Sequence, residues 1–558
     1  MIIIKLRSLE IIFLRSFKFI LLLNLFTISV NELHSQINPV WQASYNDSLT
    51  ESNYAVKSKT DNQDNVIIIA EGYNSSLGTS DDYVLIKYNS MGQKLWVRRF
   101  NGSGNGSDIP KDMVIDRDNN IYVTGSSWND TVKNDYTTLK YSPEGELLWA
   151  RRLDWLASRN DGAYSMCLDS NNNVYVTGLA TAAFNGHELY DMVTVKYNSE
   201  GEQKWVNSFS GYSDIADWGY TIVSDPSGNV YVSGFTLSAS YINYDIITLK
   251  YNSTGNEIWQ RRFNHRGTDY IRPLFSKLDR LNNLIVLSYY QSDTSQMDYL
   301  VYKYDSSGNL LWSNIFDGEL KNDWVADLAV DKDNNIYVSG SCYYVRASYD
   351  YMLVKYSESG QELWHSRLND SIKVTGYSND LATSVLLDKS GNILVHGSSS
   401  YNQGYSCVMY YNSNGVLLSK FRNFGINNSI SINLLSNNDY IIMGVDYPKT
   451  ISARYQNFIT NLNNSNTFEP ETYLLYQNYP NPFNPNTYIK YQISNTGFVT
   501  IKIYNSLGKE INSLINEIKS PGIFEINFEG LNLSSSIYFY SLYVEGNLIE
   551  TKRMVYLK

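Results

Sequence analysis

Apolar and polar residues alternate along most of the chain in short runs of about five to eight residues. Val174-Tyr-Val-Thr-Gly178 and Asp191-Met-Val-Thr-Val-Lys-Tyr197 are two examples, and both are rich in β-branched and aromatic side chains. Asn, Asp, Ser and Gly, which favour tight turns, separate the runs. The pattern predicts strands joined as hairpins and shows no helical periodicity, so the expected fold class is all-β.

A tryptophan recurs at a nearly constant spacing. Successive copies lie 52 to 56 residues apart, at Trp41, Trp96, Trp149, Trp205, Trp259, Trp312 and Trp364. A further unit keeps the pattern around Leu417-Leu-Ser419 but has lost the ring. We therefore expect eight units of about 54 residues between Trp41 and Asn463. Seven blades and a partial unit are the alternative, because the last unit is degraded.

Each unit holds four strand-like segments and two recurrent turns. One turn runs from Asp to Asn, as in Asp116 to Asn120, and the other carries a glycine where positive φ disfavours a side chain. So many short strands exceed the usual size of an open sheet, whereas a β-propeller closes small sheets into a ring. The sequence predicts a propeller of about eight four-stranded blades and does not fix which strands pair at the closure.

The first 35 residues differ from the repeats. Basic residues precede an apolar run from Phe19 to Val30, and Ser35-Gln36 fits a cleavage point. The run is too short to span a bilayer comfortably, so residues 1–35 are predicted to be a signal peptide rather than a membrane anchor. No later stretch is apolar enough to span, which predicts a mature chain without a membrane span.

Charge and cysteine content narrow the classes of partner. The formal net charge is -11 and no basic cluster is present, which argues against nucleic acid and anionic membrane surfaces. Cys167, Cys342 and Cys407 lie far apart in the sequence and are predicted to be buried thiols rather than a disulfide framework.

The repeated elements Asn-x-Tyr-Val-Thr/Ser-Gly, Asp-Tyr-x-x-x-Lys-Tyr and Gly-x-x-x-Trp resemble the β-propeller repeats (SBBP-like repeats) of bacterial extracellular proteins. The resemblance covers about Trp41 to Asn463, within a propeller domain predicted to span residues 36–463. It implies the fold and says almost nothing about activity. Many members of that family are described as seven-bladed, a description from which eight units depart.

A different pattern follows a predicted linker at residues 464–473. Residues 474–558 contain several alternating strands, which predict a small C-terminal β-sandwich. This segment closely resembles the C-terminal sorting domain of the type IX secretion system of the Bacteroidota. The resemblance implies the secretion machinery as a partner and a secreted or outer-membrane surface location. The matching residues are Tyr479, Pro480, Asn481, Pro482, Phe483, Asn484, Pro485, Gly522 and the terminal segment from Lys552 to Lys558.

Residues that recur in nearly every unit are predicted to be structural, because one active site needs one set of groups. This applies to the recurrent tryptophans and to the Asp and Lys of pairs such as Asp82/Lys87 and Asp135/Lys140. The segments Asp116–Asn120 and Asp331–Asn335 begin like a calcium loop but lack its glycine and distant glutamate, so a hairpin turn is favoured over calcium. No cofactor is expected, and the sequence contains no recognisable catalytic or phosphate-binding motif.

Aromatic residues that break the repeat are the candidate ligand-binding residues, with burial in the core as the alternative. Aromatic rings at one mouth of a propeller can stack on sugars or anchor a protein. We expect a non-catalytic protein that binds a glycan or a surface protein. The alternative is an extracellular polysaccharide-degrading hydrolase or lyase with carboxylates in the propeller loops. The candidate residues are Trp128, Trp155, Trp218, Trp324, Tyr343 and Tyr344.

Overall fold

The computed structural model describes most of the chain from residue 39 onwards. The described ranges are 39–46, 52–74, 79–128, 133–155, 160–184, 187–211, 216–237, 244–263, 271–291, 296–318, 322–344, 348–369, 379–399, 404–423, 426, 428–446, 449–456, 473–519, 522–531 and 533–558. The predicted signal peptide lies outside them, as does the predicted linker except for residue 473, so these boundaries stay predictions. Within these ranges no helix has the length and apolar character needed to cross a bilayer.

Strands between residues 41 and 455 form eight four-stranded antiparallel sheets, which are the blades. The chain begins with β1 (Trp41–Tyr45), which belongs to the last blade. Blade 1 contains β2 (Ser52–Thr60), β3 (Val66–Asn74), β4 (Thr79–Tyr88) and β5 (Lys94–Phe100), and blade 2 contains β6 (Ile109–Ile115), β7 (Ile121–Trp128), β8 (Asn134–Tyr141) and β9 (Leu147–Leu153). Blade 3 contains β10 (Gly162–Leu168), β11 (Val174–Phe184), β12 (His187–Tyr197) and β13 (Gln203–Phe209), and blade 4 contains β14 (Asp217–Ser224), β15 (Val230–Leu237), β16 (Tyr244–Tyr251) and β17 (Glu257–Phe263).

The second half of the ring repeats this order. Blade 5 contains β18 (Ile271–Leu278), β19 (Leu284–Gln291), β20 (Met297–Tyr304) and β21 (Leu310–Phe316), and blade 6 contains β22 (Asp323–Val330), β23 (Ile336–Tyr344), β24 (Ser348–Tyr356) and β25 (Glu362–Leu368). Blade 7 contains β26 (Asp380–Leu387), β27 (Ile393–Ser399), β28 (Tyr405–Tyr411) and β29 (Leu417–Asn423), and blade 8 contains β30 (Asn428–Leu434), β31 (Tyr440–Asp446) and β32 (Lys449–Tyr455) together with β1.

The ring closes through the N-terminal strand. β1 pairs antiparallel with β32, so that Trp41 lies opposite Arg454 and Tyr45 opposite Thr450. The Trp segment begins each sequence unit, but in the structure it is the fourth strand of a blade. Sequence units and blades are therefore offset by one strand. The predicted all-β propeller is confirmed, and the strands of the described ranges form eight blades.

The first strand of each blade lies at the centre of the ring, because it contacts the first strands of both neighbouring blades. Every first strand carries a β-bulge, for example between Gly219 and Thr221, and a bulge bends and twists the strand locally.

Charged side chains meet at the centre of the ring. Lys57 of blade 1 forms an ion pair with Asp112 of blade 2. Burial is the main cause that lowers the pKa of Lys59, and the nearby positive charge of Lys57 lowers it further.

Each recurrent tryptophan joins its blade to the next one. Trp149 of blade 2 donates from Nε1 to the Ser199 carbonyl of blade 3 (3.1 Å), and its ring covers Gly201. The recurrent lysines reach the same turns, as Lys140 does with Ser199 (3.0 Å). These contacts agree with the structural role predicted for both residue types. Equivalent tryptophan donors bind Ser90, Pro143, Ser253, Ser306 and Glu358 carbonyls in other blades.

The C-terminal region forms two sheets around one hydrophobic core. The smaller sheet contains β33 (Leu474–Leu475), β34 (Asn486–Ile493) and β37 (Gly522–Glu529). The larger sheet contains β35 (Gly497–Asn505), β36 (Glu510–Lys519), β38 (Ser536–Val544) and β39 (Asn547–Tyr556). Two antiparallel sheets that share a core are the arrangement expected of a small β-sandwich.

Candidate functional site

The blades present a turn face and a loop face. In an antiparallel sheet, the starts of the first and third strands lie at the same end as the ends of the second and fourth strands. The turn face is the opposite end, where tight turns join the first strand to the second and the third to the fourth. The loop face holds the longer connections, where the repeats differ most in length and sequence.

Turn-face aspartates use their carboxylates to close the turns. Oδ1 of Asp116 accepts the N–H groups of Asp118 (2.9 Å) and Asn120 (2.8 Å), and Oδ2 accepts the Asn120 amide and the Tyr122 hydroxyl. Asp331 makes the same set of contacts in blade 6. Both segments that begin like a calcium loop are therefore Asx-type hairpin turns.

The candidate aromatic residues all lie on the loop face. Trp218 and Trp324 stand at the starts of first strands, Trp128 and Tyr343 at the ends of second strands, and Trp155 just beyond a fourth strand. The backbone of Tyr344 ends β23, and its side chain lies outside the described residues. The fold thus places the six positions on one face, although they do not form one cluster.

Trp218 and Trp324 belong to a ring of residues at the central mouth of the loop face. This mouth ring consists of the residue that stands two positions before the bulged residue in each first strand. Its exposed aromatic members are Tyr54 (59% exposed) and Trp324 (38% exposed). The eight members are Tyr54, Ile109, Gly162, Trp218, Arg272, Trp324, Leu381 and Asn428.

Around Trp218 lies an aromatic shelf of five rings: Tyr164, Tyr190, Trp218, Tyr220 and Phe235. The Trp218 ring stacks on Tyr164 with an interplanar angle of 13° and on Tyr220 with an angle of 27°. Tyr164 comes from blade 3 and Tyr220 from blade 4, so the shelf crosses the boundary between two blades. Trp218, Tyr164 and Tyr220 are half-buried, which leaves part of the shelf open to solvent.

Arg272 of blade 5 extends the shelf with a cation. Its guanidinium lies 4.0 Å from the centre of the Tyr220 ring, within the range of a cation–π contact. Arg272 Nε and Trp218 Nε1 are both buried donors, and neither has a hydrogen-bond acceptor among the described residues. Buried donors without an acceptor are costly, so an oxygen-bearing group that reached them would be stabilised there.

A second aromatic group surrounds Trp324 in blade 6. Trp324 contacts Tyr289 edge-on at 5.5 Å between ring centres and Tyr349 at 6.5 Å. Tyr343 packs edge-on against Tyr349 at 5.3 Å. The sequence-predicted Trp324 and Tyr343 are therefore brought together through Tyr349.

Trp128 and Trp155 are part of blade packing rather than of either aromatic group. The Trp128 ring covers Gly106, where an added Cβ would lie 2.1 Å from Trp128 Cγ, and it borders a cleft of about 110 Å³. The backbone N–H of Trp155 donates to Oδ2 of Asp161 (2.8 Å), and its ring packs against the core of blades 2 and 3. Neither ring contacts Trp218 in the described part of the chain.

Sequence reasoning did not single out Tyr164, Tyr190, Tyr220, Phe235 or Arg272. The signal was present in part, because Tyr164 and Tyr220 are the extra residues of their bulges and Arg272 has the same mouth-ring position as Trp218. Nothing in a linear repeat shows where a bulge falls, so this proximity needed the structure.

Two aspartates on the loop face, Asp161 and Asp217, are buried and bonded to backbone N–H groups. Asp161 accepts N–H bonds from Trp155 (2.8 Å) and Thr181 (2.9 Å), and Asp217 accepts one from Gly211 (2.6 Å). Burial raises the pKa of Asp161 to about 7 and that of Asp217 to about 6. Both are at most 2% exposed, so neither presents its carboxylate to solvent.

The sorting-signal block packs against the last strand of the C-terminal sandwich. Phe483 is buried against Phe528 and Tyr556, and its N–H donates to the Val555 carbonyl (3.0 Å). Asn481 Oδ1 accepts the N–H of Val555 (2.8 Å). The block therefore holds the terminal strand in place, while the Tyr479 side chain is 49% exposed.

Two family models match the chain. The model described as a beta-propeller repeat matches residues 95–130, and the model described as a secretion system C-terminal sorting domain matches residues 477–556. An uncharacterised WD repeat-containing protein of Acanthamoeba polyphaga mimivirus is 22% identical over 461 residues, covering 60% of this chain and 32% of the viral protein. The chain thus spans about a third of the length of that relative.

Solved structures with similar strands include a β-propeller domain and a lyase. The β-propeller domain of the trilobed protease from Pyrococcus furiosus matches with a TM-score of 0.39 and 9% identity, over 67% of this chain and 96% of that one. An ulvan lyase, of a polysaccharide lyase family, matches with a TM-score of 0.40 and 9% identity, over 76% and 100% of the two chains.

The repeat match, the eight closed blades and the sorting-domain match agree with one another. The sorting domain also gives the protein a partner in the secretion machinery. The described strands thus form an eight-bladed β-propeller in which residues 95–130 match the beta-propeller repeat, and residues 477–556 match the secretion system C-terminal sorting domain, which indicates secretion or an outer-membrane surface location.

Proposed function

We propose that the propeller binds a glycan on its loop face, through the aromatic shelf around Trp218, and does not cleave it. The observation that carries this proposal is the stack of Tyr164, Trp218 and Tyr220 across two blades. Half-exposed rings in nearly parallel planes form a flat apolar surface of the kind on which a sugar ring can lie.

The polar groups beside the shelf support a glycan rather than an apolar ligand. Arg272 is half-exposed and its guanidinium lies against the Tyr220 ring, and the hydroxyl and ring oxygens of a sugar can accept hydrogen bonds from such a donor. Apolar rings beside a few polar groups are typical of the lining of a small-ligand site.

The placement of the carboxylates favours binding over catalysis. A general acid must reach the bond that it protonates, at about 2.6–3.2 Å between heavy atoms. Asp161 and Asp217 are buried and held by backbone N–H groups, and Asp108 and Asp323 have the same position in other blades. A carboxylate that recurs in this way supports a structural role on the loop face.

The test is retention of the purified protein on a panel of immobilised polysaccharides, with released sugars measured in the same samples. We expect retention on at least one polysaccharide without release of oligosaccharides. Trp218→Ala and Tyr220→Ala should each weaken retention by about tenfold or more, because a central aromatic anchor contributes roughly 2 kcal/mol or more.

Tyr54→Ala is the matched control, because Tyr54 is an exposed aromatic at the same mouth-ring position three blades away. Its retention should equal that of the unchanged protein. Oligosaccharide release would contradict the non-catalytic proposal. If both shelf variants were retained as strongly as the unchanged protein, the glycan would bind outside the aromatic shelf. If the unchanged protein bound no polysaccharide, a protein partner would be favoured.

A further inference from the structure

Arginines of the fourth strands bind acceptors that the fold itself supplies. Some form ion pairs with an aspartate at the start of the third strand, and others donate to the carbonyl group of a glycine turn in the next blade. The first kind are Arg99, Arg152, Arg262 and Arg367, and the second kind are Arg98, Arg151 and Arg261. These contacts give each of these guanidinium groups a structural role in its blade.

Arg272 differs from these arginines in its position and in its partners. It stands on the first strand of blade 5, at the mouth-ring position, and its side chain is half-exposed. Within the described ranges its guanidinium forms no ion pair, and its Nε has no hydrogen-bond acceptor. The positive charge of Arg272 is therefore not neutralised by a contact in the described part of the chain.

Aromatic residues of two blades surround Arg272. Its guanidinium lies 4.0 Å from the centre of the Tyr220 ring, and its register partner on the next strand is Tyr289, which contacts Trp324 edge-on. Arg272 thus stands between the aromatic shelf and the aromatic group around Trp324. Burial raises the pKa of Tyr164, and the positive charge of Arg272 opposes this rise, so the charge acts across the shelf.

An arginine held in this way suits an anionic ligand. A planar guanidinium can donate two parallel hydrogen bonds to one oxyanion while its face packs on an aromatic ring. The formal net charge of the chain is -11, so the overall field of the protein repels anionic polymers. A preference for an acidic polymer must therefore come from a local cation, and Arg272 is such a cation beside the shelf.

We propose that the loop face binds an acidic glycan, with a carboxylate or sulfate group on the Arg272 guanidinium and an adjoining sugar ring on the aromatic shelf. This ligand class rests on the proposed glycan binding and narrows it. Carboxylate and sulfate groups both present pairs of acceptor oxygens that match the guanidinium fork. A neutral glycan uses the shelf alone and leaves the charge of Arg272 without a counterion.

Retention of the full-length protein on two matched pairs of immobilised polysaccharides tests the ligand class. Polygalacturonate and its methyl ester differ in the carboxylate, and carrageenan and agarose differ in the sulfate. We expect the acidic member of one pair to bind about tenfold or more tightly than its neutral counterpart, because hydrogen bonds to charged groups are strong. The pair that shows this preference identifies the anionic group.

Substitutions separate the charge from the aromatic surface. Arg272→Gln should remove the preference and leave binding to the neutral member unchanged, whereas Trp218→Ala should weaken binding to both members. Arg272→Lys should keep part of the preference, because it retains the charge but loses the planar fork. The thermal unfolding midpoint of both Arg272 variants should stay close to that of the unchanged protein, since no ion pair is lost.

Arg280→Gln is the matched control for the change in charge. Arg280 is exposed in the turn after the same strand, at the turn face of blade 5, so its loss changes the net charge equally without touching the shelf. The preference for the acidic member should remain in this variant. An equal loss in Arg280→Gln and Arg272→Gln would show that net charge, rather than a bound anion, governs retention, and would overturn the proposal.

The remaining outcomes distinguish the ligand class from glycan binding itself. Equal retention within each pair, or retention confined to neutral polysaccharides, would overturn the acidic ligand while glycan binding by the shelf stands. A preference that survives Arg272→Gln would overturn the role of Arg272. If the unchanged protein were retained on no polysaccharide, glycan binding and the acidic ligand would both be wrong.

Discussion

One position of the second strand carries a buried hydroxyl in several blades, at Thr124, Thr177, Ser233 and Ser339. Thr124 and Thr177 occupy equivalent places in second strands, and each hydroxyl donates to a carbonyl of the third strand. Blade 7 has His396 at this place, opposite Ser384. Its Nδ1 contacts the Thr383 hydroxyl at 2.8 Å, but its Nε2 is buried without a partner in the described ranges. A titratable ring has thus replaced a neutral hydroxyl inside the core.

We predict that His396 makes the protein less stable in mild acid. Burial lowers the pKa of His396 to about 3, so the native state excludes a proton that the unfolded chain binds below about pH 6.5. The neutral His396 ring therefore makes its full contribution to the free energy of unfolding above about pH 6.5, and this contribution is lost as the pH falls towards 3. Between pH 7 and pH 5 the loss from this residue amounts to about 2 kcal/mol.

Urea unfolding of His396→Thr at pH 7 and pH 5 measures this contribution. The variant should lose about 2 kcal/mol less stability than the unchanged protein over this interval, since Thr does not titrate and occupies this position in blades 2 and 3. His365→Thr is the control, because His365 is a half-exposed histidine beside Glu362 on a fourth strand. Equal pH dependence in His396→Thr and the unchanged protein would show that the buried ring does not exclude protons.

At the scale of strands and turns, the contact between a tryptophan and the next blade's glycine turn recurs round the ring. Gly201 has φ of +80° and lies under the Trp149 ring. A side chain at this position would be strained by the backbone conformation and would also clash with the ring. Gly391 has a similar φ of +81° in a turn where an added Cβ would meet nothing within 4 Å. The two glycines separate backbone strain from contact with the ring.

Gly201→Ala should lower the free energy of unfolding by about 2–5 kcal/mol. Roughly 1–2 kcal/mol comes from placing a side chain at positive φ, and a further 1–3 kcal/mol from displacing the Trp149 ring. Gly391→Ala should cost only the first part. Denaturant unfolding of both variants gives the difference, and equal losses would mean that the tryptophan contact adds nothing at this turn.

Strand and turn positions were predictable from the sequence because local patterns determine them. The Trp spacing and the Asp–Asn turns indicated eight four-stranded units, and Trp218 and Trp324 were identified because they break the repeat. The aromatic neighbours of Trp218 were not predictable, since the contact of Tyr164 with Trp218 depends on packing between blades.

At the scale of the whole molecule, the closure explains why one unit lacks its tryptophan. In blades 1 to 7 a hairpin joins the third and fourth strands, and its glycine turn receives the tryptophan of the preceding blade. In blade 8 the fourth strand is β1, from the other end of the chain, so β32 and β1 share no hairpin. Ser419 of blade 7, at the tryptophan position, therefore has no such turn to cover. The degraded unit is a consequence of the closure rather than of a missing blade.

Closure by β1 predicts that the ring depends on its N-terminal strand. A chain that begins at residue 47 would leave the outer edge of β32 unpaired, while its other edge still pairs with β31, and would remove the bond from Trp41 Nε1 to the Ser90 carbonyl (2.9 Å). We expect a lower thermal unfolding midpoint and self-association, because an unpaired edge strand is a template for pairing between molecules. The control begins at residue 39 and keeps β1.

Light scattering and thermal unfolding of the two chains distinguish the outcomes. Equal midpoints and monomeric behaviour of both would show that the other strands hold the ring closed without β1. Ser419→Trp offers an independent check, because a tryptophan restored where no hairpin turn faces it should not raise the midpoint. A stabilised Ser419→Trp variant would mean that blade 8 presents a docking surface despite its split fourth strand, and the closure would then not account for the lost ring.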